Sequence, residues 1–276
     1  MRIRATVAAV TGALALSAFA VPAAHAAPAA GTPYTMDVSF SKLKIVSSIK
    51  VGTGPKVSTR YSYTLTYDAN VKATARDFYS DAYLYRGSLD DPTATVEGDD
   101  FATCKKATAT TLNCTGTVDI RPADGDLTAS DAGKWSVAAE AYAFNGQNPS
   151  KPDYGKIGFK DQGGMATTSL LRSTKLTTDA APEPVRKGRA ITVTGALTLA
   201  SWNYDKYYAY SAQSVQLQFA KKGSSAWSTV KTVKTDTKGN LKATVTATVD
   251  GSFRYVYAGT SQTAGVTASA DAVDVR

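Results

Sequence analysis

Two runs of carboxylates are the first residues in this chain whose type and spacing could do chemistry. Asp90, Asp91, Glu97, Asp99 and Asp100 form one run, and Asp119, Asp124, Asp126 and Asp131 the other. Calcium is the ion such loops would take, because it gathers about six to eight oxygen ligands at about 2.3–2.6 Å. Neither run has the order of an EF-hand. Asp124-Gly125-Asp126 lacks the third acidic or amide ligand ahead of its glycine, and no glutamate stands at the twelfth place. The set Asp119, Asp124, Asp126 and Asp131 is therefore a weak candidate for calcium, against the plainer reading of solvated loops.

Two carboxyl groups could also cleave a glycosidic bond without histidine, provided they stand about 5–9.5 Å apart and one is kept protonated by burial. Beyond residue 26 the glutamates are Glu97, Glu140 and Glu183. Strand alternation puts Glu140 on a solvent face, and Glu183 sits between Pro182 and Pro184, so no working pair is expected. No Ser-x-x-Lys with its supporting motifs is present either.

The basic start Met1-Arg2-Ile3-Arg4, the apolar run Ala5 to Val21 and the small residues Ala24-His25-Ala26 read as a secretory leader, cut after Ala26. The run is shorter than the ~20 residues of a bilayer span. Its removal takes away His25, the chain's one histidine. Without imidazole the usual serine and cysteine triads and the histidine-based zinc sites are lost. The two cysteines, Cys104 and Cys114, are expected to form a disulfide in an exported chain. Their spacing suits a clamp across a hairpin, and so short a loop would contribute roughly 2–3 kcal/mol. Asn113-Cys114-Thr115 matches a glycosylation sequon by accident in a bacterial export setting.

The densest aromatic stretch is Trp202-Asn203-Tyr204-Asp205-Lys206-Tyr207-Tyr208-Ala209-Tyr210. Trp202, Tyr204, Tyr207, Tyr208 and Tyr210 could stack on sugar rings or meet a protein partner, or could instead close the open end of a sandwich. Charge adds little: the mature chain would carry 29 Lys and Arg against 23 Asp and Glu, and the whole surplus falls in residues 173–276. A moderate positive field favours anionic partners such as wall polymers, with nucleic acid the less expected and a solubilising surface the plainest reading.

The elements that must position these residues are strands. Ile191, Val193, Leu197 and Leu199 fall on alternate positions, with Gly195 interrupting the same face. Val215-Leu217-Phe219, Leu241 to Val249, Phe253-Tyr255-Tyr257 and Val273-Val275 repeat the pattern, with Val230 and Val233 marking one more strand. Upstream, Tyr61 to Tyr67, Ala82-Leu84, Val118-Ile120 and Val137 to Ala143 do the same. Short strands separated by Gly and Asp turns predict an all-β fold: two antiparallel, immunoglobulin-like β-sandwich modules. The expected division is a leader (1–26), a disordered lead-in (27–33), an N-terminal module with one disulfide (34–172) and a C-terminal module (173–276). Residues 86–100 and 145–164 are expected to be surface loops.

The leader, the block Pro182-Glu-Pro-Val-Arg-Lys-Gly-Arg-Ala-Ile-Thr-Val-Thr-Gly195, the strand Val215-Gln-Leu-Gln-Phe219 and the closing Asp250-Gly-Ser-Phe-Arg-Tyr255 with Asp271-Ala-Val-Asp-Val275 resemble a group of secreted actinobacterial proteins. Members have a C-terminal immunoglobulin-like module and a variable N-terminal one, and some carry a calcium-binding label. The resemblance covers the leader and about 100 C-terminal residues well, and the N-terminal part only through Cys104, Cys114 and Ala132-Gly133-Lys134-Trp135. It implies a fold and no catalytic residues. The functional expectation is a secreted, non-catalytic binding or structural protein of the envelope or medium, partnered by a cell-wall polymer, a polysaccharide or another extracellular protein. A calcium-binding protein and a small carbohydrate-active hydrolase are the alternatives.

Overall fold

The computed structural model describes residues 31–125, 127–148 and 150–276. The expected leader, residues 27–30 of the lead-in and Asp126 lie outside the described residues.

The described chain is all-β, with no α-helix and only single 3₁₀ turns besides the strands. In order the first strands are β1 (Tyr34–Thr35), β2 (Val38–Ile45), β3 (Ser48–Val51), β4 (Val57–Tyr67), β5 (Phe78–Gly87), β6 (Pro92–Val96), β7 (Thr103–Lys106), β8 (Thr111–Ile120), β9 (Gly133–Ala143) and β10 (Gly158–Arg172). They continue with β11 (Thr174–Leu176), β12 (Asp179–Ala181), β13 (Ala190–Ser201), β14 (Lys206–Ala209), β15 (Ser214–Lys221), β16 (Ser228–Lys234), β17 (Asn240–Thr246), β18 (Gly251–Tyr257), β19 (Val266–Thr267) and β20 (Asp271–Val273). Contacts sort these into two compact units. One holds the residues up to Val46, Ser58–Asp119 and Trp135–Thr168, and the other holds Ser47–Val57, Ile120–Lys134 and Ser169–Arg276. The segments 47–57 and 120–134 therefore make their contacts with C-terminal residues, although they are remote from them along the chain.

In the first unit one sheet runs β1-β10-β9-β5-β6 and the other β2-β4-β8-β7. Alternation along β4 turns Tyr61, Tyr63 and Leu65 inward, and Ala82 and Leu84 of β5 and Val137, Ala139 and Ala141 of β9 are buried likewise. Polar side chains tie the layers together. Tyr63 Oη and Ser80 Oγ lie 2.5 Å apart, and the Gln162 amide accepts from Phe40 N and donates to Phe40 O, both at 3.0 Å. Buried without these partners, such groups would each cost on the order of 1–3 kcal/mol. The hairpin β7–β8 sets Cys104 opposite Cys114, and the two form the disulfide.

Two ladders depart from the antiparallel expectation, since β1 and β3 both run parallel to β10. Parallel neighbours need a long crossover, and the chain from β1 or β3 to β10 passes through strands of both sheets. The loop expectations also need correction. Residues 86–100 contain β6, and 145–164 contain the first part of β10, from Gly158. That part of β10, Gly158-Phe-Lys-Asp-Gln-Gly-Gly164, has no apolar alternation and is rich in glycine. It is a strand because of its neighbours: β9 is hydrogen-bonded alongside it, and β1 pairs with its first two residues, Gly158 and Phe159. Gly163 gives close approach there: a Cβ would sit 2.8 Å from Tyr85 Oη, so the Tyr85 and Leu89 side chains would have to shift.

In the second unit β13 anchors one sheet, bonded to β11, β12, β14 and β17, while β16-β15-β18-β19 forms the other with β20 on β18. Ile191, Val193, Leu197, Val215, Leu217, Leu241, Phe253 and Tyr255 are the centre of its core. Tyr255 Oη crosses from one sheet to donate to Val193 O at 2.9 Å. Gly195 breaks the apolar pattern of β13 for a packing reason, because a Cβ there would lie 2.3 Å from Thr177 O and 2.9 Å from the Tyr255 ring.

Candidate functional site

The aromatic stretch forms the turn from β13 into β14, with Ser201 paired to Lys206 and Trp202-Asn203-Tyr204-Asp205 crossing between them. Its five rings divide by role. Trp202 is 2% exposed and donates Nε1–H to Val51 O at 3.1 Å. Asn203 Oδ1 accepts from Ala129 N at 3.1 Å, so both segments borrowed from earlier in the chain hold this turn. Tyr207 is half-buried, bonded to Ser173, with the Lys175 ammonium 4.0 Å from its ring centre. Burial pushes its phenol pKa up, and the Ser173 bond opposes the shift. Tyr210 packs on the core edge-on to Tyr257, ring centres 5.9 Å apart.

The remaining two rings face water. Tyr204 is 70% and Tyr208 49% exposed, and they meet edge to face at 6.1 Å. A turn tethered at Trp202 and Asn203 thus presents two tyrosines to solvent. Such rings lose little conformational entropy on binding.

Two of the candidate calcium residues, Asp119 and Asp131, are engaged within the fold. Asp119 is buried and accepts from Ser58 Oγ, from Asp99 N at 2.9 Å and from Thr117 Oγ1 at 3.2 Å. Asp131 caps the turn at Thr128, accepting from its N at 2.7 Å and its Oγ1 at 2.8 Å. Asp124 is exposed and lies 3.9 Å from Arg121 Nε. Among the described residues no three acidic, histidine or cysteine side chains gather in a geometry that could hold a metal.

One acidic pair escaped the sequence reading. Asp81 of β5 and Glu140 of β9 are direct cross-strand partners, and Glu140 is drawn into the structure rather than facing open solvent. Asp81 is 6% exposed. Burial, and after it the Asp81 charge, raise the Glu140 pKa well above the ordinary carboxylate range, against a lowering hydrogen bond from Tyr142. Glu140 and Asp81 are themselves hydrogen-bonded. Hydrogen-bonded carboxyls stand closer than the about 5–9.5 Å needed to flank a glycosidic bond, so the pair has no place for a sugar between its members. Alternation alone could not reveal it, because the β5–β9 register decides which acids meet.

No family model matches this chain, and no curated protein matches it. Solved structures with partial likeness exist. The D0-D1 domain of intimin is 18% identical over 85% of this chain and 98% of its own, with a TM-score of 0.26. The Yersinia pseudotuberculosis adhesin InvE is 15% identical over 84% of this chain and 58% of its own, with a TM-score of 0.23. The mouse nectin-like molecule 4 ectodomain, Ig1 to Ig3, is 15% identical over 88% and 65%, also at 0.23. The chain thus spans less than two thirds of the last two, and at these similarities no residue-to-residue correspondence carries over.

Proposed function

We propose that this chain is a secreted, non-catalytic β protein that binds a cell-wall polymer through the turn carrying Tyr204 and Tyr208. The observation that supports this most is the pair itself: two large rings, 70% and 49% exposed, on a turn anchored by the buried Trp202. Exposed tyrosines stack on sugar rings and supply concentrated binding energy, typically more than 1 kcal/mol for an anchoring ring. The absence of imidazole from the processed chain and the closeness of Asp81 to Glu140 fit a protein without hydrolytic chemistry.

The test is sedimentation with insoluble polymers. Purified processed protein is mixed at low salt with isolated cell walls, chitin and cellulose, beside the double variant Tyr204→Ala/Tyr208→Ala. Wild-type protein should pellet with at least one polymer, and the variant should remain in the supernatant. Protein that pellets with none of them, or a variant that pellets as well as wild type, overturns the reading.

A further inference from the structure

The outer face of the β2-β4-β8-β7 sheet in the first unit carries a feature independent of the aromatic turn. Ser58 bonds Asp119, and Thr64 donates to Asn113 at 3.3 Å. Stepping inward from these two contacts by alternation sets Arg60 beside Thr117 and Ser62 beside Thr115. On the other flank Lys44 is the register partner of Ser62, after a bulge in β2 between Ser41 and Lys44. The result is a groove of about 730 Å³, with Arg60 and Ser62 in its floor, Lys44 and Val46 on one wall and Thr115 and Thr117 on the other. It spans two inter-strand spacings, about 9–10 Å.

Its chemistry is narrow. Lys44 and Arg60 are exposed, and among the described residues neither makes an ion pair. Asp119, the acid at one end of the face, already accepts three hydrogen bonds. Besides Val46 at the edge and the half-buried Ile45, the remaining lining side chains are hydroxyls, and the one ring in the lining, Tyr61, is 3% exposed and offers no face to stack on. Single-stranded nucleic acid needs rings on which its bases stack, and a protein partner needs an apolar centre. A hydrophilic polyanion needs neither.

We propose that this groove binds a single chain of acidic polysaccharide. The ligand's carboxylate or sulfate groups pair with Lys44 and Arg60, and its hydroxyls exchange hydrogen bonds with Ser62, Thr115 and Thr117.

The experiment is calorimetric titration of the processed protein with polygalacturonate and with heparin at low and at high salt. It compares wild type, Lys44→Ala/Arg60→Ala, and a control pair on the second unit, Lys231→Ala/Lys234→Ala. Wild type should bind at least one polymer, more weakly at high salt because exposed charges are screened. The groove variant should lose tenfold or more while the control stays within twofold. A groove variant with a lowered melting temperature is replaced by Lys44→Gln/Arg60→Gln, which keeps the side-chain bulk. Absence of binding to both polymers at low salt, equal loss in the control pair, or equally tight binding of a single-stranded oligonucleotide with the same loss on mutation would each overturn the assignment. The Tyr204/Tyr208 variant should bind these soluble polymers as wild type does, which separates this site from the aromatic turn.

Discussion

Replacing Glu140 with glutamine probes how tightly its buried carboxyl holds a proton. Glu140 binds its proton more tightly in the folded chain than in the unfolded one, through burial and the neighbouring Asp81. Its contribution to stability is therefore fully present below the unfolded glutamate pKa, about 4.3, where both states are protonated. As pH rises above that value the unfolded chain releases the proton and the folded chain keeps it. Stability then falls at about 1.4 kcal/mol per pH unit for this one proton, until folded Glu140 ionises as well and the slope vanishes. Glutamine keeps a donor for Asp81 and an acceptor for Tyr142 but has nothing to ionise. The assay is urea unfolding from pH 4 to pH 8, followed by the fluorescence of Trp135, the tryptophan of the first unit. At pH 4 the variant and wild type should agree to within about 0.5 kcal/mol, the range of an ordinary neutral substitution. Toward neutral pH the variant should become progressively the more stable, by about 1.4 kcal/mol for each unit over which the wild-type slope persists. Parallel curves for the two proteins, or a variant less stable than wild type at neutral pH, would refute the account of a carboxyl kept protonated by burial.

Two further outcomes follow from packing and covalent structure. Gly195→Ala should destabilise the second unit by about 1–3 kcal/mol, since its new methyl meets Thr177 O and the Tyr255 ring; an unchanged urea midpoint would show that this strand can move aside. Cys104→Ser/Cys114→Ser should lower stability by roughly 2–3 kcal/mol through the freed hairpin loop, and reduction of the wild type should reproduce the same loss in denaturation.

Much of this protein was legible from residue order alone. Period-2 burial made Ile191, Val193, Tyr61 and Tyr63 core residues and the chain all-β, because a pleated strand places alternate side chains on opposite faces whatever its partners are. The single hairpin spacing of Cys104 and Cys114 made their disulfide legible too. What only the tertiary structure decided is which strands and segments meet. Gly158 to Gly164 is a strand because its neighbours complete its hydrogen bonds, not because its own side chains favour one. Glu140 meets Asp81 and loses its solvent through the β5–β9 register, which alternation does not specify. The aromatic stretch is legible as a group, yet its division into anchoring and exposed rings depends on partners distant in the chain: Val51 for Trp202, Ser173 and Lys175 for Tyr207 and Tyr257 for Tyr210, which leave Tyr204 and Tyr208 to solvent. Local order sets the face each side chain takes, and only the long-range pairing of faces decides which of them is left to meet a ligand.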